Sequence, residues 1–149
     1  MSEEFGIAPE IQEQIEALKK RFRGKSDKLD SNMKVTLNNC AMVVERYAKK
    51  NMTPNGPSAP GEFPAVDTGR LRASITHRFE EGTGGEPSAA YVGTSVEYAA
   101  GLEFGTSRMA ARPFMRPSLE ANRKNIVDRI AKATQAAMQE KDSDDEGAE

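Results

Sequence analysis

Few residues in this chain could do chemistry. His77 is the only histidine and so the only imidazole available as a general base, and no serine lies in the strained strand-to-helix turn that exposes a nucleophile. Cys40 is the only cysteine, so it has no partner for an internal disulfide, and its place in a helical pattern makes it a small core residue. A histidine-based metal site within one chain is therefore not expected. Glu97 and Glu103 have the carboxylates of an acid/base pair, but on a short exposed helix they read as surface charges. The glycines from Gly82 to Gly85 do not lead from a strand into a helix through Lys-Ser or Lys-Thr, so they form no phosphate-binding loop. No cofactor and no small-molecule substrate is implied, and the expected protein is not an enzyme.

Arginine is the richer set. Arg70, Arg72, Arg78, Arg108, Arg112, Arg116 and Arg123 gather in the second half of the chain, where they could meet phosphates or carboxylates across a subunit boundary. Aromatics do not alternate with them as stacking platforms for single strands would require, so interface ion pairs are the expected use. The alternative is a small nucleic-acid-binding protein that places its arginine-rich half on phosphates. A hydrolase would rest on His77 alone.

The elements that carry these residues follow from pattern. With 149 residues, 37% hydrophobic and 30% charged, the chain supports one soluble domain with a modest core. No apolar run is long enough to span a membrane, and the acidic start MSEEFGIAPE lacks the basic and apolar regions of a signal peptide. A host-cytoplasmic product is expected, unless a larger particle carries it out. The net charge is −2, but six of the 23 acidic residues and one of the 21 basic ones lie in 140–149, leaving a body with 20 basic against 17 acidic. The expected organisation is one domain over 1–139 followed by an acidic, flexible tail over 140–149.

Ile7, Ile11, Ile15, Leu18 and Phe22 recur at helical spacing, with Pro9 fitting only a first turn. Gly24 interrupts, and a second stripe runs through Leu29, Met33, Leu37, Cys40, Val44 and Tyr47 with Asp27 or Asp30 as its N-cap. The two are one bent rod or a pair. Prolines 54, 57, 60 and 64 with Gly56 and Gly61 make 52–64 a long loop, either a functional arm or a plain linker. Asp67 is expected to cap a short turn carrying Arg70 to Arg72. Ile75, His77 and Phe79 alternate as a half-buried strand, Glu81 to Ser88 turns, and Ala90 to Thr94 returns as the second strand of a hairpin. Val96 to Phe104 reads as a short helix stopped by Gly105, and Pro113 and Pro117 bracket Phe114 before a long helix that fades after Met138. The fold class is α+β: N-terminal helices, a small antiparallel sheet built on a β-hairpin, and a long C-terminal helix.

Two of these segments, VDTGRLRASI at Val66 to Ile75 and YVGTSVEYAAGLEFGTSRMAARPFMRPSLE at Tyr91 to Glu120, together resemble the head–tail joining, neck and tail-completion proteins of long-tailed double-stranded DNA bacteriophages. The order carries the resemblance: an Asp-Thr-Gly-x-Leu-Arg turn, a hairpin, Glu-Tyr-Ala, Glu-Phe-Gly-Thr, then Ala-Arg-Pro-Phe before the last helix. It spans roughly Val66 to Ile130. The 52–64 insert is longer and richer in proline than that pattern, and the acidic tail lies outside it.

The resemblance implies a structural virion protein of the neck, completing the tail or joining head to tail within a homo-oligomeric ring. Its partners would be its own copies and the adjacent connector and tail proteins, with DNA only passing through the lumen and no membrane contact. Its structural motif falls on Asp67, Thr68, Gly69, Leu71, Glu103, Phe104, Gly105, Arg112, Pro113 and Phe114, and of these Asp67, Gly69, Leu71, Gly105, Pro113 and Phe114 are expected to fix the fold. Pro54, Pro57, Pro60, Gly84, Arg108 and Arg112 are the expected subunit or partner contacts.

Overall fold

A computed structural model describes residues 9–53, 56–83 and 86–139. Its longest element is α1, Pro9–Asn51, a single helix of 43 residues. Pro9 is its first residue, where a missing N–H costs nothing. Gly24 does not break it: a mid-helix glycine costs only about 1 kcal/mol, which the continuing turns on both sides outweigh. The pair of helices allowed by the sequence is thus one rod, and Asp27 and Asp30 are exposed mid-helix residues instead of caps. Lys49 and Lys50 sit in the last turn, where positive charge suits the exposed carbonyls.

Then follow α2 (Arg70–Ser74), β1 (Thr76–Glu80), β2 (Ala89–Gly93), α3 (Ala99–Phe104) and α4 (Met115–Gln139). β1 and β2 form a two-stranded antiparallel sheet in which Thr76 pairs with Gly93 and Glu80 with Ala89. Along β1, His77 and Phe79 are half-buried while Thr76, Arg78 and Glu80 are exposed, the alternation that the sequence pattern requires. The hairpin rests on α1, as does α4.

The core forms where the end of α1 meets the start of α4. Ala48, Met52, Leu71, Ile75, Val96, Ala99 and Phe114 are buried together, with Phe63, Val66, Val92, Leu102 and Met115 packed around them. Phe114 and Ile75 are almost wholly enclosed. Ala48 is the helix face turned to this cluster, and its small side chain leaves room for the Phe114 ring. Ser118 is the buried polar residue of the joint, and its hydroxyl donates to the Phe114 carbonyl, so nothing is left unpaired. At about 1.5 Å per residue α1 is roughly 64 Å long and α4 roughly 38 Å. The far half of α1 therefore extends past the body, and every described side chain from Glu13 to Lys28 is exposed.

Cys40 is buried under α4, as its pattern predicts. Burial pushes its thiol pKa up against the downward pull of the Arg129 charge, which leaves an unreactive thiol.

Candidate assembly site

The Glu-Phe-Gly-Thr and Ala-Arg-Pro-Phe segments form one joint between α3 and α4. A helix leaves its first N–H groups without intrahelical partners. At α4 these belong to Phe114, Met115 and Arg116, and the following position is Pro117, which has no N–H to satisfy. No Ser, Thr, Asp or Asn stands just ahead of the helix, so the acceptor comes from α3. The Glu103 carboxylate accepts from Phe114 N at 2.8 Å, Met115 N at 2.9 Å and Arg116 N at 2.9 Å. One side chain thus caps all the free donors and locks α3 to α4. Glu103 is therefore not the plain surface charge that a short exposed helix suggests, and the absence of a local cap at α4 is the sequence signal that points to its partners.

Gly105 makes that geometry reachable. Its φ of 77° and ψ of 171° lie in a region open to glycine almost alone. A Cβ there would stand 3.0 Å from Ala111 N and 3.1 Å from Met109 O. Beyond it the chain makes a tight turn, with Thr106 and Met109 exchanging backbone hydrogen bonds and Ser107 and exposed Arg108 at the tip. Arg112 N then donates to Leu102 O at 2.6 Å, closing the loop back onto α3.

The proline-rich segment is fastened to the same joint. Val66 N donates to Thr53 O at 2.9 Å, which closes the base of an Ω-type loop. Gly61 N donates to Ala111 O at 2.8 Å, and the Arg112 guanidinium Nε to Ser58 O at 3.0 Å. The loop also sends Phe63 inward to the Tyr47 ring, 6.3 Å between centroids. Its described residues are therefore strapped down, with Pro57 and Pro60 exposed on its outer side. Pro54 and Gly84 lie outside the described residues.

In the Asp-Thr-Gly turn, the residue before α2 is Gly69, left-handed at φ 77°. Thr68 Oγ1 accepts from Arg70 N at 3.4 Å, and Asp67, expected as the cap, is exposed and makes no such bond. The N-cap position falls on Gly69, two residues beyond Asp67, and the side chain that takes a first-turn donor is that of Thr68. Leu71 turns into the core, and Ser74 ties α2 to the end of β2 through Thr94 Oγ1 at 2.6 Å.

His77 is held by Glu45 of α1 through Nδ1, and Lys49 pairs with the other carboxylate oxygen. Burial raises the Glu45 pKa, but the hydrogen bonds and charges of Lys49 and His77 outweigh it, so the carboxyl titrates below its ordinary range. Arg46, Lys50 and Arg72 stand around this pair and make the hollow beside it basic. Among the described residues no three metal-ligating side chains cluster, and no helix is long and apolar enough to cross a membrane.

Two surface features remain. Phe104, the last residue of α3, is 83% exposed, more than any other large apolar side chain among the described residues. Between the Ω-type loop, the Asp-Thr-Gly turn and α3 lies a hollow of about 570 Å³. Its apolar lining includes Pro57, Val66, Leu71, Tyr98 and Leu102, with Arg70, Arg72 and Arg112 among its polar groups.

These features define a small α+β domain whose polar motif residues fasten loops and helix ends and whose conspicuous surface is apolar. The chain belongs to the HK97-gp10-like family, described as "Bacteriophage HK97-gp10, putative tail-component", whose profile matches residues 11–105. It is thus a structural component of the phage tail, a part of the virion that meets other tail proteins. Neither the curated proteins nor the solved structures yield a significant match to it.

Proposed function

We propose that this chain is a structural subunit of the phage neck, completing the tail or joining head to tail as part of a homo-oligomeric ring, and that it works by geometry without catalysis. The observation that supports this most is the α3–α4 joint. The Glu103 carboxylate, the Gly105 backbone turn and the Arg112 N–H hold one short helix in place, and that helix ends in an exposed phenylalanine beside the Arg108 turn. Residues that hold a surface in place are what an assembly subunit needs, because each group ordered only on binding costs affinity. Pro57, Pro60, Arg108 and Arg112 belong to the contacts with neighbouring copies or with the adjacent connector and tail proteins. DNA passes through the lumen, and the subunit accumulates in the host cytoplasm before it enters the virion. Residues 1–139 act as one domain.

Native mass spectrometry of the purified chain over a range of concentrations tests the ring, and reconstruction of the particle tests its position. The expected results are a closed oligomer and density between the connector and the tail tube. A chain that stays monomeric at every concentration would sink the ring, and density away from the neck would sink the position. Duplex DNA affinity that falls steeply with salt and vanishes on reversing Arg46, Lys50 and Arg72 would favour a nucleic-acid-binding role instead.

A further inference from the structure

We infer that Phe104 of one copy inserts into the hollow between the Ω-type loop and α3 of the next copy, so that a head-to-tail knob-in-hole contact builds the assembly. This rests on the ring reading above and names the contact within it.

The geometry of α3 carries the argument. Successive helical residues turn by about 100°, so Tyr98 and Leu102 share a face and Phe104 lies about 200° round from Leu102. Tyr98 and Leu102 line the hollow. The knob and the hole are therefore on opposite sides of one rigid helix, and no chain can fill its own hole. A contact between two different patches of the same surface is heterologous, and repeating it builds a ring where the rotation closes and an open filament where it does not. Two patches facing the same way would instead favour a two-fold dimer.

Size agrees. The hollow of about 570 Å³ falls in the range of cavities that hold small ligands, ample for one phenyl ring. Phe104 needs no other explanation in the fold, since at 83% exposure it contributes almost nothing to the core.

The test uses the full chain in three forms followed by native mass spectrometry: wild type, Phe104→Asp, and Thr68→Trp, which crowds the hollow from its exposed lining. Tyr98→Asp serves as a second hole variant should Thr68→Trp fold poorly, and thermal melting verifies each fold. Moving a phenyl ring from water to an apolar hollow shifts an equilibrium by about ten- to a hundredfold, so each variant alone should lose its rings. Mixed one to one, the two retain one good knob and one good hole, and they should form dimers that grow no further. Rings of Phe104→Asp as stable as those of the wild type, or full rings from the mixture, would overturn the contact and leave the ring reading intact. A wild type monomeric at every concentration removes both.

Discussion

Replacing Glu103 probes how much stability one distant carboxylate lends to a helix. Its two oxygens accept three backbone N–H groups of α4 at 2.8 to 2.9 Å, from a half-buried position. Hydrogen bonds to a charged group contribute about 1.5–3 kcal/mol each, and loss of an ordinary N-cap costs about 0.5–2 kcal/mol. The three bonds share one anion, and water can reach part of the vacated site, so they do not add. A loss of about 3 kcal/mol is expected for Glu103→Ala, or a fall in Tm of roughly 10 °C for a chain of this size. Glu103→Gln keeps one oxygen but removes the charge and turns a donor toward donors, for a loss of about 1.5–2 kcal/mol. Glu103→Asp keeps the charge but is a methylene too short to serve all three groups, so it should fall between wild type and Ala. Exposed Glu97→Gln is the control and should stay within about 0.5 kcal/mol. Urea unfolding followed by circular dichroism, at concentrations low enough to keep the chain unassembled, gives these differences as midpoint shifts at constant slope. If Glu103→Ala costs no more than Glu97→Gln, the carboxylate does not hold the joint and the account of the α3–α4 lock fails.

Two glycines should respond with opposite signs. Gly105→Ala forces a side chain into a backbone region open to glycine and against Ala111 N and Met109 O, for a loss of about 2–4 kcal/mol; Gly24→Ala meets nothing within 4 Å in mid-helix and should gain about 0.5–1 kcal/mol. Equal effects in thermal melts would contradict both assignments. Glu45 should give the fold an acid-sensitive contact. Its folded pKa lies below its ordinary 4.5, so its contribution is full above that pH and is lost as pH falls through the folded value. Unfolding curves between pH 6 and 3 for wild type and Glu45→Gln should therefore converge at the acid end; a constant difference across that range would show that the ionised pair does not stabilise the fold.

The sequence was readable wherever a local rule decided the outcome. Alternation placed the hairpin within a residue of its strands, the Gly105 stop and the Pro113-Phe114 start bounded α3 and α4, and Leu71 and Phe114 proved to be core residues. What escaped was set by residues far apart in the chain. Glu103 meets donors 11 to 13 residues onward only because the Gly105 loop closes, and His77 meets Glu45 32 residues back because the hairpin lies on α1. The proline pattern excluded helix and strand in 52–64, but it could not show that Ala111 and Arg112 would pin the segment as a loop. At Gly24 the sequence left one rod and two helices open, and the turns on both sides of the glycine decide for the rod.

The joint also explains how a six-residue helix could carry the contact proposed between copies. A helix as short as α3 has no stability of its own in water, because the cost of its first turn is never recovered. It persists because each of its sides is fixed: Ala99 is buried in the core, Glu103 is bound to the α4 backbone, and Leu102 O receives Arg112 N. The direction of Phe104 is then set by three attachments, none of which touches Phe104 itself. Were the ring carried on a free loop, ordering it at each contact would consume much of the gain from burying it. Held ready, it would bring nearly the whole of its transfer free energy to the proposed contact. The Glu-Phe-Gly sequence thus divides its work by residue: the glutamate fixes the helix, the glycine permits the return of the chain, and the phenylalanine is left exposed, as the proposed contact requires.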